Sequence, residues 1–403
     1  MILTVKKSRG AGEFSPPASK SISHRVLIAA ALSEGVSVIG NLLDCADLSS
    51  TLAAVRALGA EVELSGTTAT VKGGRAGGQT LSFSACESGS TLRFLIPVIC
   101  ALGYESRIKR EGTLISRPLS VYEDLLAKHG ATLFVEGDDV LTSGRLCPGK
   151  YELSGGISSQ FVSGLLFALP LLDGDSTLRI TPPFESAGYA RMTVAVLKNF
   201  GITIEERSEL EYFIRGNQTY TPCSLQVEGD LSSAAYVLGL NLLGSSIRKT
   251  EELSSFLQPD GVYTQIFEMI DKGYAEIDLS QSPDLGPIVF ALLAARGGGR
   301  IKGIRRLRLK ESDRVGDMLC ELRKLGADFT VGENEVQIKP SALSSPKTPL
   351  SSHRDHRIAM ALTVLLTTLG GELIGAECVD KSYPTFFSDL KALGIMIKTA
   401  DEG

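Results

Sequence analysis

The chain contains no tryptophan, and aromatic residues make up only 6% of its 403 positions. With a formal net charge of −5, it lacks the basic, aromatic-studded face that nucleic-acid binding uses, so no nucleic acid is expected as a partner. No apolar run approaches the ~18 residues of a membrane span, so no membrane association is expected either. The first residues, Met1-Ile2-Leu3-Thr4-Val5-Lys6-Lys7, are too short for the apolar core of a secretory leader, and the expected location is the cytoplasm. The seven cysteines are scattered, odd in number and without a Cys-x-x-Cys pair, which reads as reduced thiols with no zinc site. Histidines number four; His353 and His356 have few acids beside them, and no metal is expected there. Neither a Walker loop nor a Gly-x-Gly-x-x-Gly fingerprint occurs.

What the chain does have is repetition. Six stretches open with small polar residues and run into an apolar helix, at Ser21, Ser88, Ser158, Ser232, Asp284 and Asp355. Their helices carry few charges over three turns, which predicts burial nearly all round. A second series interleaves with the first: an amphipathic helix stops at a glycine and turns into a strand, at Gly59, Gly130, Gly201, Gly273, Gly326 and Gly394. Both series recur at roughly 70 residues, the signature of internal repetition. The step from Gly273 to Gly326 is shorter, so the fourth unit should lack one strand pair. A glycine-rich hairpin is expected over 67–81. Six units of strands, a buried helix and an amphipathic helix exceed one core, which predicts an α/β (α+β) chain of two domains with three units each. The crossover falls near Val227. If the buried helices run parallel, three N-termini converge in each domain, each carrying about half a positive charge, and a cleft facing them would draw anions.

The polar starts also carry chemistry. Lys20 and Arg25 flank the first, with Ser19 or Ser21 as the natural cap. The second, Glu87-Ser88-Gly89-Ser90-Thr91-Leu92-Arg93, has a glycine that lets a ligand approach the backbone and an Arg that needs either a structural partner or a ligand. Arg117 precedes Pro118 and is held extended, a geometry that aims its guanidinium at a forked anion. Ser158-Ser159-Gln160 offers hydroxyls and an amide at a helix start, and Glu185-Ser186-Ala187-Gly188-Tyr189 is a strand-to-helix junction. Lys310-Glu311-Ser312-Asp313-Arg314 is the densest charge cluster. It reads as a helix start with Lys310 and Arg314 on one face, where like charges repel unless an acid or anion lies between them. Arg354, Asp355, His356 and Arg357 open the last buried helix, and Lys381 lies just before the final one.

Taken in order over nearly the whole chain, Ser19-Lys20-Ser21, Ser158-Ser159-Gln160, Lys310 to Arg314, Asp355-His356-Arg357 and Lys381 resemble the 5-enolpyruvylshikimate-3-phosphate synthases (3-phosphoshikimate 1-carboxyvinyltransferases). The resemblance implies an inside-out α/β barrel of the enolpyruvyl transferase type, with one domain over 20–227 and the other over 1–19 plus 228–403, and the active site in the cleft between them. It implies transfer of the enolpyruvyl group of phosphoenolpyruvate to shikimate 3-phosphate in aromatic amino acid biosynthesis, by a monomer with no cofactor. Lys20, Ser21, Arg25, Ser158, Ser159, Gln160, Ser186, Tyr189, Asp284 and Lys310 would bind shikimate 3-phosphate. Lys20, Gly89, Arg117, Gln160, Arg314, Arg357 and Lys381 would hold phosphoenolpyruvate. Asp284 and Glu311 would move protons, with Lys20 and His356 close by. The chain departs from the family pattern at Glu87 and Arg306, where many members have Asn, at Ala187-Gly188 and in the short fourth unit. UDP-N-acetylglucosamine enolpyruvyl transferases share the reaction but usually carry a loop Cys, and no Cys lies between Cys100 and Cys147. RNA 3'-phosphate cyclases, built from related units, are disfavoured by the acidic charge.

Overall fold

Apolar side chains around the whole circumference put the first helix of each repeat in the interior. From Ile22 to Leu32, every residue of helix Lys20–Leu32 is buried in the computed structural model, which describes residues 1–77, 80–250 and 258–399. Helices Gly89–Leu102, Ser159–Ala168, Gly286–Ala295 and His356–Leu369 are buried almost as completely. Strands alternate instead, as in Thr80–Cys86, and present one apolar face inward. The result is helices inside and sheets outside. Among the described residues no helix is long and apolar enough to cross a membrane.

The chain divides into two units. One holds residues Ala18–Glu228; the described residues of 1–17, 229–250 and 259–399 form the other. The first unit repeats one sheet three times. In each, two parallel strands are extended by an antiparallel hairpin: Thr80–Cys86 pairs with Glu105–Arg110, which pairs with Asp139–Gly144 and then Ala131–Glu136. Lys150–Ser154, Ser176–Thr181, Glu211–Ile214 and Ile204–Ser208 repeat the order. In the remaining sheet the parallel partner of Val36–Gly40 is Ser224–Gln226, so the end of the unit closes onto its beginning.

The second unit has two four-stranded sheets of the same kind and one of two strands, Ala11–Phe14 with Ser246–Lys249. The missing pair is the hairpin. After helix Tyr263–Asp271 the chain turns at Gly273 and enters Ala275–Asp278 of the next sheet directly. The short fourth unit is therefore short by one strand pair. All six glycines of the second series have left-handed φ, between +78° and +114°, which lets the chain leave each helix and turn into the sheet.

One local expectation fails. The first hairpin joins Glu61–Ser65 to Thr68–Lys72 through Gly66-Thr67, and Thr80 already opens the next sheet; Gly78 and Gln79 lie outside the described residues. The turn sits where the strands' apolar alternation breaks, not where glycines are most numerous.

Helices Gly89–Leu102 and Ser159–Ala168 cross at Gly164. A Cβ there would overlap the Arg93 carbonyl and the Tyr122 hydroxyl, with Pro97 at 3.0 Å. That hydroxyl lies 2.8 Å from the Arg93 carbonyl and 3.0 Å from that of Phe161, tying the two helices together. Gly164→Ala should therefore destabilise the first unit by at least ~2 kcal/mol, through overpacking and a displaced hydrogen bond. Urea unfolding followed by circular dichroism checks this; an unchanged midpoint would contradict it.

Candidate functional site

Each unit gathers its own set of polar side chains at helix starts. In the Ala18–Glu228 unit, Ser19 occupies the cap position of helix Lys20–Leu32 but makes no side-chain cap bond. Lys20 Nζ lies 3.0 Å from Asp47 Oδ2. His24 Nδ1, Thr51, Thr91 and Ser88 form a buried chain of contacts of 2.7, 2.7 and 2.8 Å, which links the first two helices to the turn before Gly89. Burial pushes the His24 imidazole down to about 3, against the pull of Asp47, so this chain runs through a neutral ring.

Arg25 is buried and heavily used by its own unit. It donates to Thr193 Oγ1 at 2.8 Å, to the Ser21 carbonyl at 2.7 Å and to the Tyr189 carbonyl at 3.1 Å, and its guanidinium lies over Phe94. Arg25, Ser21 and Tyr189 are thus brought together. Ser186 occupies the cap position of helix Ala187–Asn199, which carries Tyr189, and is buried and in a left-handed conformation. Ser158 caps helix Ser159–Ala168 by accepting from the Gln160 N–H at 3.3 Å.

A second focus lies at Gly89. A Cβ there would meet Arg117 at 3.1 Å, Gln160 Oε1 at 3.4 Å and Arg93 at 3.6 Å, so only a glycine leaves the space above these groups open. Gln160 accepts from Arg93 at 2.8 Å and donates to Ser90 Oγ at 3.0 Å. Arg93 belongs to this group; its signal was a charge at the start of an apolar helix. Arg117 is extended, at φ −76° and ψ 133°. Glu87 accepts from Thr113 Oγ1 at 3.4 Å and lies against Gly112, whose φ is +52°.

In the other unit the acids and bases converge on Arg314. Its Nε donates to Asp355 Oδ2 at 2.8 Å, one terminal nitrogen to Asp284 Oδ1 at 2.9 Å, and the other to Glu311 Oε2 at 2.7 Å. The guanidinium is 1% exposed. Asp284 also receives Lys310 at 3.3 Å and lies 3.5 Å from Arg357. Lys310 and Arg314 do not share a helix face: the helix is Arg314–Lys324, capped by Asp313 through Val315 and Gly316, and Lys310 lies before it in extended backbone. Asp284 is the acid that reconciles their charges.

Burial alone would raise the Asp284 carboxyl, but Lys310, Arg357 and Arg314 together hold it well below the usual carboxylate range. Burial also lowers Lys310, and Asp284 opposes that. Asp355 is fully buried and caps helix His356–Leu369 through the Arg357 N–H at 2.8 Å. The Nε and one terminal nitrogen of Arg357 are buried and have no hydrogen-bond partner among the described residues. A buried cationic donor without an acceptor is costly, which marks a place for an anion. Tyr236 donates to the Asp284 carbonyl at 2.8 Å and lies beneath the Arg357 guanidinium. His356 is the first residue of its helix and is buried; Lys381 ends the turn Ala376–Lys381. Arg306 is buried in the turn Arg305–Leu309. Among the described residues no group of three or more His, Cys, Asp and Glu is arranged to hold a metal.

Residues 5–390 match the family model of EPSP synthase (3-phosphoshikimate 1-carboxyvinyltransferase). The chain belongs to the EPSP synthase family. It is accordingly an enzyme, a transferase of the shikimate pathway. A 3-phosphoshikimate 1-carboxyvinyltransferase of Clostridium kluyveri is 37% identical over 414 residues, 97% of each chain being covered. The solved EPSP synthase of Acinetobacter baumannii superposes with a TM-score of 0.77 over 98% of this chain and 99% of its own, at 23% identity. The enolpyruvyl transferase NikO of Streptomyces tendae gives 0.76 over 98% of both, at 19% identity. These two share the fold, the inside-out arrangement of the EPSP synthase family.

The depressed Asp284 carboxyl has a consequence for stability. A carboxylate held below its ordinary value of 3.8 contributes stability above that pH and loses it as the pH falls through the folded value. Asp284→Asn should therefore lower the melting temperature at neutral pH, and the gap to the native protein should narrow below about pH 4. Melting curves from pH 7 to pH 2.5 check this; a constant gap would contradict it.

Proposed function

We propose that the enzyme transfers the carboxyvinyl group of phosphoenolpyruvate to the 5-hydroxyl of shikimate 3-phosphate and releases phosphate. Family membership supports the reaction, and the observation that carries the assignment of groups is the cluster of Asp284, Glu311, Lys310 and Arg357 around Arg314. Both substrates are multiply anionic. A protein of net charge −5 that buries Arg and Lys at helix starts is suited to bind such molecules at those points.

In this reading Lys20, Ser21, Arg25, Ser158, Ser159, Gln160, Ser186, Tyr189 and Lys310 serve shikimate 3-phosphate. Lys20, Gly89, Arg117, Gln160, Arg314, Arg357 and Lys381 serve phosphoenolpyruvate, and Arg93 joins them through its bond to Gln160. Arg357 offers the two unpartnered N–H positions to a forked anion. Arg25 and Arg314 act mainly by holding other groups, since their donors are occupied within their own units. The 5-hydroxyl adds to C2 of phosphoenolpyruvate while C3 takes a proton; the tetrahedral adduct then loses phosphate and a C3 proton. Asp284, kept ionised, takes the hydroxyl proton and gives it up to the departing phosphate. Glu311 delivers the proton to C3 and takes one back, with Lys20 and His356 assisting. The seven free thiols fit a reducing compartment, the cytoplasm.

Phosphate release with phosphoenolpyruvate and shikimate 3-phosphate tests the reading. Turnover should require both, and Asp284→Asn and Glu311→Gln should each lower kcat by about 10²-fold or more. Turnover with UDP-N-acetylglucosamine as the acceptor instead, or near-native kcat in both variants, would overturn it.

A further inference from the structure

The segment between strand Leu350–Ser351 and helix His356–Leu369 carries two consecutive non-glycine residues in left-handed backbone, His353 at φ +51° and Arg354 at +59°. Such residues persist only where their surroundings hold them. One anchor is local, the His353 N–H donating to Ser351 Oγ at 3.1 Å, and another reaches the end of strand Gly371–Ile374, where Ser352 Oγ donates to the Gly375 carbonyl at 2.8 Å. The His353 side chain reaches a third element. His353 Nε2 lies 2.8 Å from Glu321 Oε1, and Nδ1 lies 3.2 Å from Asp317 Oδ1. Both carboxylates belong to helix Arg314–Lys324, the helix that begins with Arg314.

Two ties therefore join this segment to that helix. One is Arg314 to Asp355, which is part of the cluster of acids. The other is His353 to Asp317 and Glu321, which lies outside it. Glu321 is fully buried; it also accepts from the Ser351 N–H at 3.0 Å and from Lys324 at 2.8 Å. Lys324 is the cation that opposes a charge on His353, and Arg354 is the other base on the segment itself. From the turn Ala376–Lys381 the nearby acid is Glu377, paired with the Met1 amino group at 2.8 Å. A neutral imidazole has one N–H and can donate to only one of the two carboxylates, while its other nitrogen turns a lone pair toward the second. Only the imidazolium satisfies both.

We propose that His353 is a positioning residue, a proton-dependent clamp that fixes residues 352–355, and with them Asp355 and Arg357, onto the helix carrying Arg314, so that affinity for phosphoenolpyruvate falls when the ring loses its proton. The proposal rests on the reading of Arg357 as a phosphoenolpyruvate ligand. The Glu321 hydrogen bond raises the imidazole above its ordinary 6.5, against burial, and Asp317 adds to it. A raised value means that the clamp is complete below pH 6.5 and is lost as the pH rises through the folded value.

The test uses the full chain. KM for each substrate is measured from pH 5.5 to 9 in the native protein, His353→Gln and Asp317→Asn, and the His353 ring is titrated by NMR. The native KM for phosphoenolpyruvate should rise several-fold through the ring's titration while that for shikimate 3-phosphate stays flat. In His353→Gln it should be high throughout and lack that inflection. In Asp317→Asn the ring titration and the KM inflection should move together to lower pH, which decides the matter should His353→Gln fold poorly. A ring that titrates at or below 6.5, or the same phosphoenolpyruvate profile in native and His353→Gln, overturns the clamp. Failure of the active-site reading looks different: Arg357→Ala would then keep a native KM for phosphoenolpyruvate, and the ring titration still decides whether the clamp exists.

Discussion

One buried guanidinium, that of Arg314, ties together carboxylates from three separate segments of the chain: Asp284 before the helix Gly286–Ala295, Glu311 in the loop before its own helix, and Asp355 at the cap of His356–Leu369. Three acids in such proximity would repel one another, and a fully desolvated Arg without acids would be prohibitively costly. Each half of the arrangement makes the other tolerable. Its fork geometry matters as much as its charge, because separate N–H groups point at separate oxygens. The pair Asp284–Glu311, which the proposed chemistry needs as two distinct carboxylates, is thereby held in fixed geometry. Lys310 and Arg357 then keep Asp284 ionised despite its burial.

In the Ala18–Glu228 unit a neutral hydrogen-bond chain works beside the Lys20–Asp47 pair and the Arg25 guanidinium. The chain from His24 through Thr51 and Thr91 to Ser88 carries no net charge, because the ring is too deeply buried to hold a proton. It fixes the turn that presents Gly89, while Gly164 lets the next helix come close enough for Gln160 to meet Arg93. Hydroxyl chains and small residues thus carry in that unit part of what ion pairs carry around Arg314. Where a positive charge is to face a ligand, donors are left over: Arg357 lies near Asp284 through one terminal nitrogen and keeps its Nε and the other terminal nitrogen without a partner among the described residues.

Much of this architecture was legible in the sequence for a physical reason. A helix buried all round must be apolar all round, and a helix that turns back into a sheet needs a residue tolerant of positive φ, so the apolar runs and the glycines at Gly59, Gly130, Gly201, Gly273, Gly326 and Gly394 mark the repeats directly. The shortened step after Gly273 revealed the missing hairpin in the same way. Local charge was less informative. Lys310 and Glu311 read as the first turn of a helix, but Asp313, whose carboxylate caps Val315 and Gly316, is the stronger start signal. Partnership over long separations was not legible at all. Nothing near Asp355 in sequence indicates that it meets Arg314, and nothing near His353 points to Asp317 and Glu321; such contacts exist only once the repeats have folded.

Arg314 acts by geometry, holding three carboxylates at once. Replacing it with lysine keeps the charge and removes the fork, since an ammonium is a point charge on a flexible stem. The direct measurement is kcat for phosphate release by Arg314→Lys, with folding checked by circular dichroism. The protein should fold and its kcat should fall by about 10²-fold or more, as far as loss of a proton-transfer carboxylate would take it. A folded Arg314→Lys protein with kcat close to native would contradict it.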